Sequence, residues 1–484
     1  LGFRLAAAAC VPLSADEAYY RVWSHALAPG YLDHPPMVAL WIRAGTFIAG
    51  DTPIGIRLLG PIAAVVGTLL LMQAARDLAP PEQDPGPRAA WLLNGTLLLN
   101  AGAVIMTPDT PLLLFWTATI AAIVRLIRTG NANWWLAAGL AAGLALDSKY
   151  TAALLAPSLL AWLVAVPAAR HWLRRWQPYA AAAIALGAFA PVLAWNAQHH
   201  WASFARQGGR EGDFHPAQAA RFLAELVAGQ IGLATPLLFL VFCAGVARCR
   251  RRNPGTALAL AVTAMPALVF LQHALGDRVQ ANWPSVIYPG AALAAALTMV
   301  PFWRPAAALG LAVSALLTLQ AAADPLSLPR RLDFTLIRLA GWSDLAADAA
   351  RARDAAHADF IAADEYGLAA ELAFHLSGRV IGVAPRWALF ALPPAQLAGQ
   401  TGILVRSMRQ AGPPNPAIWP GASPAGTAIR ARGGITAETY RLYRVGPPRH
   451  DPAVLLPSLR QEKVGGDVPS PPNPPSIIRP RRDG

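Results

Sequence analysis

The chain has 484 residues, of which 55% are hydrophobic and 14% charged, with a mean hydropathy of +0.38. Soluble domains carry charge on about a quarter of their residues, so the composition excludes an ordinary soluble fold and points to a polytopic membrane protein. The formal net charge of +13 does not mark a nucleic-acid partner, because the arginines sit in alternate loops between apolar stretches rather than on one basic face.

Ahead of Ser14 the chain is too short to span a bilayer, and it opens on Leu1, so a non-standard start codon or a missing upstream stretch is expected. A cleaved leader, or a lipoprotein-type site at Cys10, is the other reading; Arg4 alone would have to serve as its basic region. Ser14-x-x-Glu17 has capping-box spacing and predicts a helix from Ala15, with Tyr19, Trp23 and Leu27 on one face, a pattern suited to the membrane interface. Beyond Asp33-His34-Pro35-Pro36, the stretch from Met37 to Gly50 is apolar but of marginal length, and reads as interfacial rather than spanning.

Apolar segments near 57–75, 89–106, 110–127, 133–147, 150–168, 178–195, 228–247, 255–275, 284–300 and 305–322 approach the roughly 20 residues needed to cross a hydrocarbon core. Between them lie Arg76 and Arg88, then Arg125 and Arg128, then Arg170, Arg174 and Arg175, then Arg248 with Arg250 to Arg252, then Arg304. The positive-inside rule makes those loops cytoplasmic, and places the loop holding Asp16, and everything after about Asp324, outside. Near 325 the long apolar runs stop. Strands are expected at Phe360 to Ala362, Arg379 to Val383, Gly402 to Val405 and Thr439 to Val445, and a helix from Glu365 to Leu376. The expected architecture is an α-helical polytopic membrane protein of about eleven transmembrane helices plus interfacial helices, with a small C-terminal external α/β domain. Its parts are a transmembrane domain over 1–323, the α/β domain over 324–447, and a Pro- and Arg-rich tail over 448–484 that cannot bury a core. Cys10, Cys243 and Cys249 have no metal-ligand spacing and imply no disulfide framework.

Candidate chemistry lies at the external ends of the spans. Asp16 is a candidate general base, while Glu17 is explained by helix capping. Asp33 and His34, on a proline-stiffened turn, suit phosphate oxygens, a divalent cation, or simply an interfacial turn. Asp109, in Thr107-Pro108-Asp109-Thr110-Pro111, is either a site carboxylate or an N-cap. Lys149 stands where positive charge is unexpected, as an anion ligand or as the partner of Asp147. Arg278 could fork onto phosphate. His199 and His200 are either ligands or solvated, and Trp195, Trp201 and Trp283 suit an aromatic belt. A transporter or lipid flippase also needs many helices, but would place ionisable groups near the midplane and show internal repeats; here they collect at helix ends and no repeat is evident.

Asp16-Glu17-Ala18-Tyr19-Tyr20, Asp33-His34-Pro35-Pro36, Thr107-Pro108-Asp109, Ser148-Lys149-Tyr150, Trp195-Asn196 through Trp201, and Asn282-Trp283-Pro284, in this order over residues 14–300, resemble the GT-C class of polyprenyl-phosphate-sugar-dependent glycosyltransferases. These are the bacterial relatives of protein O-mannosyltransferases and of the lipid A aminoarabinose transferase. The resemblance implies inverting transfer, at the external face of a bacterial inner membrane, from an undecaprenyl-phosphate-type sugar donor to a lipid, glycan or protein acceptor. Asp16 aligns with the family's base or acceptor-orienting acid, and Asp109 would be a second acidic site residue. Lys149 and Arg278 would stabilise the departing polyprenyl phosphate. Asp33 and His34 fall where aminoarabinose transferases place an acid and a lysine that engage metal and phosphate. The histidine departs from that pattern; a divalent cation held by Asp33, with His199 as a further ligand, and a phosphate contact from His34 are the resulting expectations. The external domain departs most, notably at Pro385-Arg386-Trp387, so acceptor choice does not carry over.

Overall fold

The computed structural model describes residues 1–208, 214–410, 412–449 and 453–455. The capping box forms as its spacing requires: the Ser14 hydroxyl accepts the Glu17 N–H at 3.3 Å, and the Glu17 carboxylate accepts the Ser14 N–H at 3.0 Å, opening the helix Ala15–His25. Glu17 does more than cap. Its side chain is fully buried, takes a two-pronged ion pair from Arg57 at 2.6 and 2.7 Å, and accepts the Met106 N–H at 2.9 Å. Arg57 also donates to the Val11 and Pro12 carbonyls, so one buried pair ties four segments together beneath Asp16.

The aromatic face of Ala15–His25 does not meet lipid. Tyr19 and Trp23 pack against Tyr31, Trp387 and Phe390, with Trp23 stacked on Tyr31 at 4.1 Å, so the face expected at the membrane interface is a domain interface. An aromatic stripe at helical spacing buries equally well against protein. Met37–Ala49 is a thirteen-residue helix with Phe47 and Ile48 exposed, matching the expectation of a short apolar segment.

Among the described residues, five helices are long and apolar enough to cross a membrane: Pro53–Asp77, Asp109–Thr129, Gln177–Gln198, Pro254–His273 and Trp303–Ala323. Two further candidates are broken. Pro216–Ala234 and Pro236–Ala247 meet at 104°, where Thr235 has φ +73° and Pro236 removes an N–H donor; Tyr150–Ala165 and Pro167–Arg174 meet at 115° before another proline. Trp134–Leu146 and Trp283–Leu297 are shorter apolar helices. The expected span at 89–106 divides into Gly86–Asn94 and Leu97–Asn100, with Thr96 capping the second piece. The Trp303–Ala323 helix runs so close to that break that a Cβ on Gly310 would meet the Gly95 carbonyl oxygen at 1.9 Å.

The C-terminal region forms a six-stranded sheet of β1 (Phe360–Ala363), β2 (Val380–Gly382), β3 (Gly402–Ser407), β4 (Ser423–Arg432), β5 (Ile435–Val445) and β6 (Ala453–Val454), in the order β4-β5-β3-β1-β2-β6. β1 is parallel to β2 and β3, and the other pairings are antiparallel. The helix Tyr366–His375 packs on Ala15–His25, so the domain sits directly over the loop that carries Asp16. β4 was not legible, because Pro424 and Gly426 interrupt its pattern; as an edge strand it tolerates both. β6 carries the sheet past Pro447, and the rest of the expected tail, 456–484, lies outside the described residues.

Candidate active site

An open cavity of about 700 Å³ lies where the helix ends meet the α/β domain, and it gathers Asp16, Asp33, His34, Asp109, Lys149 and Arg278 from five separate stretches of chain. His199 is not among its walls. Its ring stacks on Trp195 at 4.1 Å and its Nδ1 lies 2.8 Å from the Trp195 carbonyl oxygen, so it does not join Asp33. Asp33 itself faces cations: Arg386 donates to its Oδ2 at 2.8 Å, Tyr19 donates to the same oxygen at 3.0 Å, and Arg206 approaches at 3.6 Å. No group of three His, Cys, Asp or Glu that could hold a metal occurs among the described residues.

Two polar networks share the cavity. In the first, the Asp109 carboxylate accepts both short bonds from Lys149 Nζ (2.9 and 2.8 Å), one from Asn282 Nδ2 (2.9 Å) and one from Ser285 Oγ (2.8 Å). Asp109 opens its helix yet caps nothing with its side chain, and Lys149 pairs with it rather than with neighbouring Asp147. A carboxylate that accepts four bonds from three side chains has no free oxygen position for an acceptor hydroxyl, which suits holding Lys149 in place better than moving a proton. Arg278 reaches the same cavity from its rim, where it is 64% exposed and paired with Glu225 at 2.7 Å.

In the second network, Asp16 opens into the cavity with one long contact from Tyr366, whose hydroxyl lies 3.4 Å from Oδ1. Partial enclosure by protein pushes the Asp16 carboxyl above its ordinary value, with Asp33 and Glu17 adding to the rise and Arg338 and the Tyr366 bond opposing it. Asp16 thus combines an uncommitted oxygen with raised basicity, the combination a general base requires. Arg386 packs over the Tyr366 ring at 3.9 Å while holding Asp33, so the α/β domain links both acids of the first loop. His34 lines the cavity beside Tyr20, at 6.2 Å between rings.

Sequence reasoning missed Arg338, Tyr366 and Arg386. They lie more than 300 residues from Asp16, on elements whose local pattern signals only fold; the one available hint was the departure at Pro385-Arg386-Trp387. Trp283, expected in an aromatic belt, lines the cavity.

The fold is that of GT-C architecture: crystal structures of ArnT from Cupriavidus metallidurans, apo and bound to undecaprenyl phosphate, each match with a TM-score of 0.62 at 14% identity, over 91% of this chain and 95% of theirs. Residues 33–195 match the family described as dolichyl-phosphate-mannose-protein mannosyltransferase. The chain is 28% identical over 398 residues to the lipid A galacturonosyltransferase RgtD of Rhizobium johnstonii, covering 76% of this chain and 80% of that one. Fold, family match and relative together make this chain a polytopic membrane glycosyltransferase with a GT-C fold.

Proposed function

We propose that the chain transfers a sugar from a polyprenyl-phosphate donor to a hydroxyl of an envelope acceptor, with inversion, in the cavity that joins Asp16 to Lys149, and that this cavity opens on the external face of the bacterial inner membrane. The observation that carries the reading is that one cavity holds an accessible, basicity-raised carboxylate and a fixed, buried ammonium on separate networks. The relatives act in kind: RgtD is named for lipid A, and one ArnT structure holds undecaprenyl phosphate. The orientation rests on the arginine alternation. The Asp109–Thr129 helix starts in the cavity and ends, about 30 Å away by its 21 residues, at Arg125 and Arg128 paired with Asp77.

In the transfer, the acceptor oxygen attacks the anomeric carbon from the side opposite the phosphate as Asp16 takes its proton. The bond from that carbon to the phosphate oxygen breaks, and its electron pair leaves with the polyprenyl phosphate, which gains one negative charge. Lys149, held by Asp109, which Asn282 and Ser285 fix in turn, meets that charge without having to reorganise, and Arg278 adds a second cation at the rim. His34 contacts the donor phosphate from the Asp33 side. Asp33, locked by Arg386 and Tyr19, orients that wall, and no step here is routed through a metal ion. Incubating the purified protein with polyprenyl-phosphate sugars and envelope acceptors tests the reading: sugar on an acceptor with stoichiometric release of polyprenyl phosphate supports it. Movement of intact donor across vesicles with no bond broken would identify a flippase instead.

A further inference from the structure

The end of the helix bundle far from Asp16 holds a second cavity, of about 470 Å³, walled by Leu126 and Ile127 at the end of one span, Trp162 and Trp172 on the bent segment, and Pro254 at the start of another. Two helices run between the two cavities. Asp109–Thr129 begins in one and ends in the other, and Pro254–His273 does the reverse, which places the second cavity about one bilayer thickness away. The bend before Pro167 turns the Pro167–Arg174 segment by 115° away from the span that precedes it. Trp162 donates its N–H to the Pro254 carbonyl at 2.9 Å, which satisfies its polar edge and leaves an apolar wall.

Charge at this end is distributed unevenly. Arg76 pairs with Asp84, and Arg125 and Arg128 pair with Asp77. Arg175 and His171 line the cavity, Arg174 stands beside them, and none of the three has a carboxylate partner among the described residues; no acidic residue lines the cavity. Trp176 and Tyr179, each 62% exposed, follow immediately and mark the level at which headgroups meet hydrocarbon.

From this we infer a binding site for an anionic phospholipid, its phosphate on Arg175 and His171 and the upper part of one acyl chain along Leu126, Ile127 and Trp162. Arg175 in the wall and Arg174 beside it, guanidinium groups without carboxylate partners among the described residues, stand at one end of an apolar pocket at headgroup depth and match such an amphiphile in both charge and shape, whereas a zwitterionic lipid brings its own cation and a free phosphate ion has no use for the apolar wall. The site is separate from the transfer cavity, so the inference stands whether or not that cavity does the proposed chemistry.

The test uses the full chain in detergent, titrated separately with phosphatidylglycerol, phosphatidylcholine and inorganic phosphate, and read by native mass spectrometry and thermal unfolding. Wild type is expected to bind phosphatidylglycerol at least about fivefold tighter than phosphatidylcholine, the discrimination one near-surface cation supports. Arg175→Glu, a change at an exposed position, is expected to remove that preference while leaving the lipid-free unfolding temperature unchanged; His171→Ala should weaken it. Equal binding of the two lipids to wild type, a preference that survives Arg175→Glu, or a phosphate-ion shift matching the lipid's would each overturn the inference.

Discussion

Asp109 and Lys149 offer the sharpest separation between a residue that does chemistry and one that holds another in place. Asp109→Asn keeps the shape but removes the charge, and it turns an amide N–H toward Lys149 or Asn282, both of which are donors. The two residues are 7% and 5% exposed, so Lys149 would be left as a buried, unpaired ammonium, a loss of about 3–5 kcal/mol. The variant should unfold at clearly lower temperature and transfer sugar roughly a hundredfold or more slowly, the effect of losing one preorganised charge at a leaving group. Asp109→Ala with Lys149→Ala removes both charges together. It should recover part of the stability lost by Asp109→Asn, because no uncompensated charge remains, yet stay as slow. The assays are thermal unfolding in detergent and initial rates from a lipid-linked donor. A rate loss in Asp109→Asn without any change in stability would assign Asp109 a chemical role of its own and refute the positioning argument.

Tyr366→Phe removes the hydroxyl bond that favours ionised Asp16, so the Asp16 carboxyl should titrate higher still. Because the proposed base works ionised, activity is lost as pH falls through that value, and the acid limb of the rate profile should move to higher pH, modestly because the bond is long; an unmoved limb would detach Tyr366 from Asp16. Arg386→Ala should lower transfer by about ten- to a hundredfold through the lost charged hydrogen bond to Asp33, and Arg386→Lys should not restore it, since lysine lacks the planar group that covers Tyr366. Rates near wild type in Arg386→Lys would show that charge alone suffices. Chelation should leave turnover unchanged if Lys149 and Arg278 supply the positive charge; loss on chelation, restored by a divalent cation, would return Asp33 to a ligand role.

What the sequence made legible was local. The Ser14-Glu17 box, the helix ends and the loop charges each have a signature within a few residues, and six of the seven expected site residues do line one cavity. What it hid was long-range. Nothing near Lys149 chooses Asp109 over Asp147 as its partner, because that choice is made by packing between spans, with Asn282 and Ser285 completing it from a third. Nothing near Tyr366 or Arg386 announces that the α/β domain closes over Asp16, and the same blindness turned the Tyr19 and Trp23 stripe toward lipid in the reading and toward protein in the structure. The break at Thr235-Pro236 falls inside the expected span 228–247 and the break at Gly95-Thr96 inside the expected span 89–106; neither was read from the sequence, since Pro191 and Pro266 sit inside unbroken helices and the close approach of Gly310 is a long-range contact.

The proposed role of Asp16 as the base that activates the acceptor is tested most directly by single-turnover transfer by Asp16→Asn on prebound lipid-linked donor, which measures that step alone. Donor binding should be retained, because Lys149 and its partners are untouched, while transfer falls by about a hundredfold or more. Transfer at the wild-type rate with donor bound would contradict it.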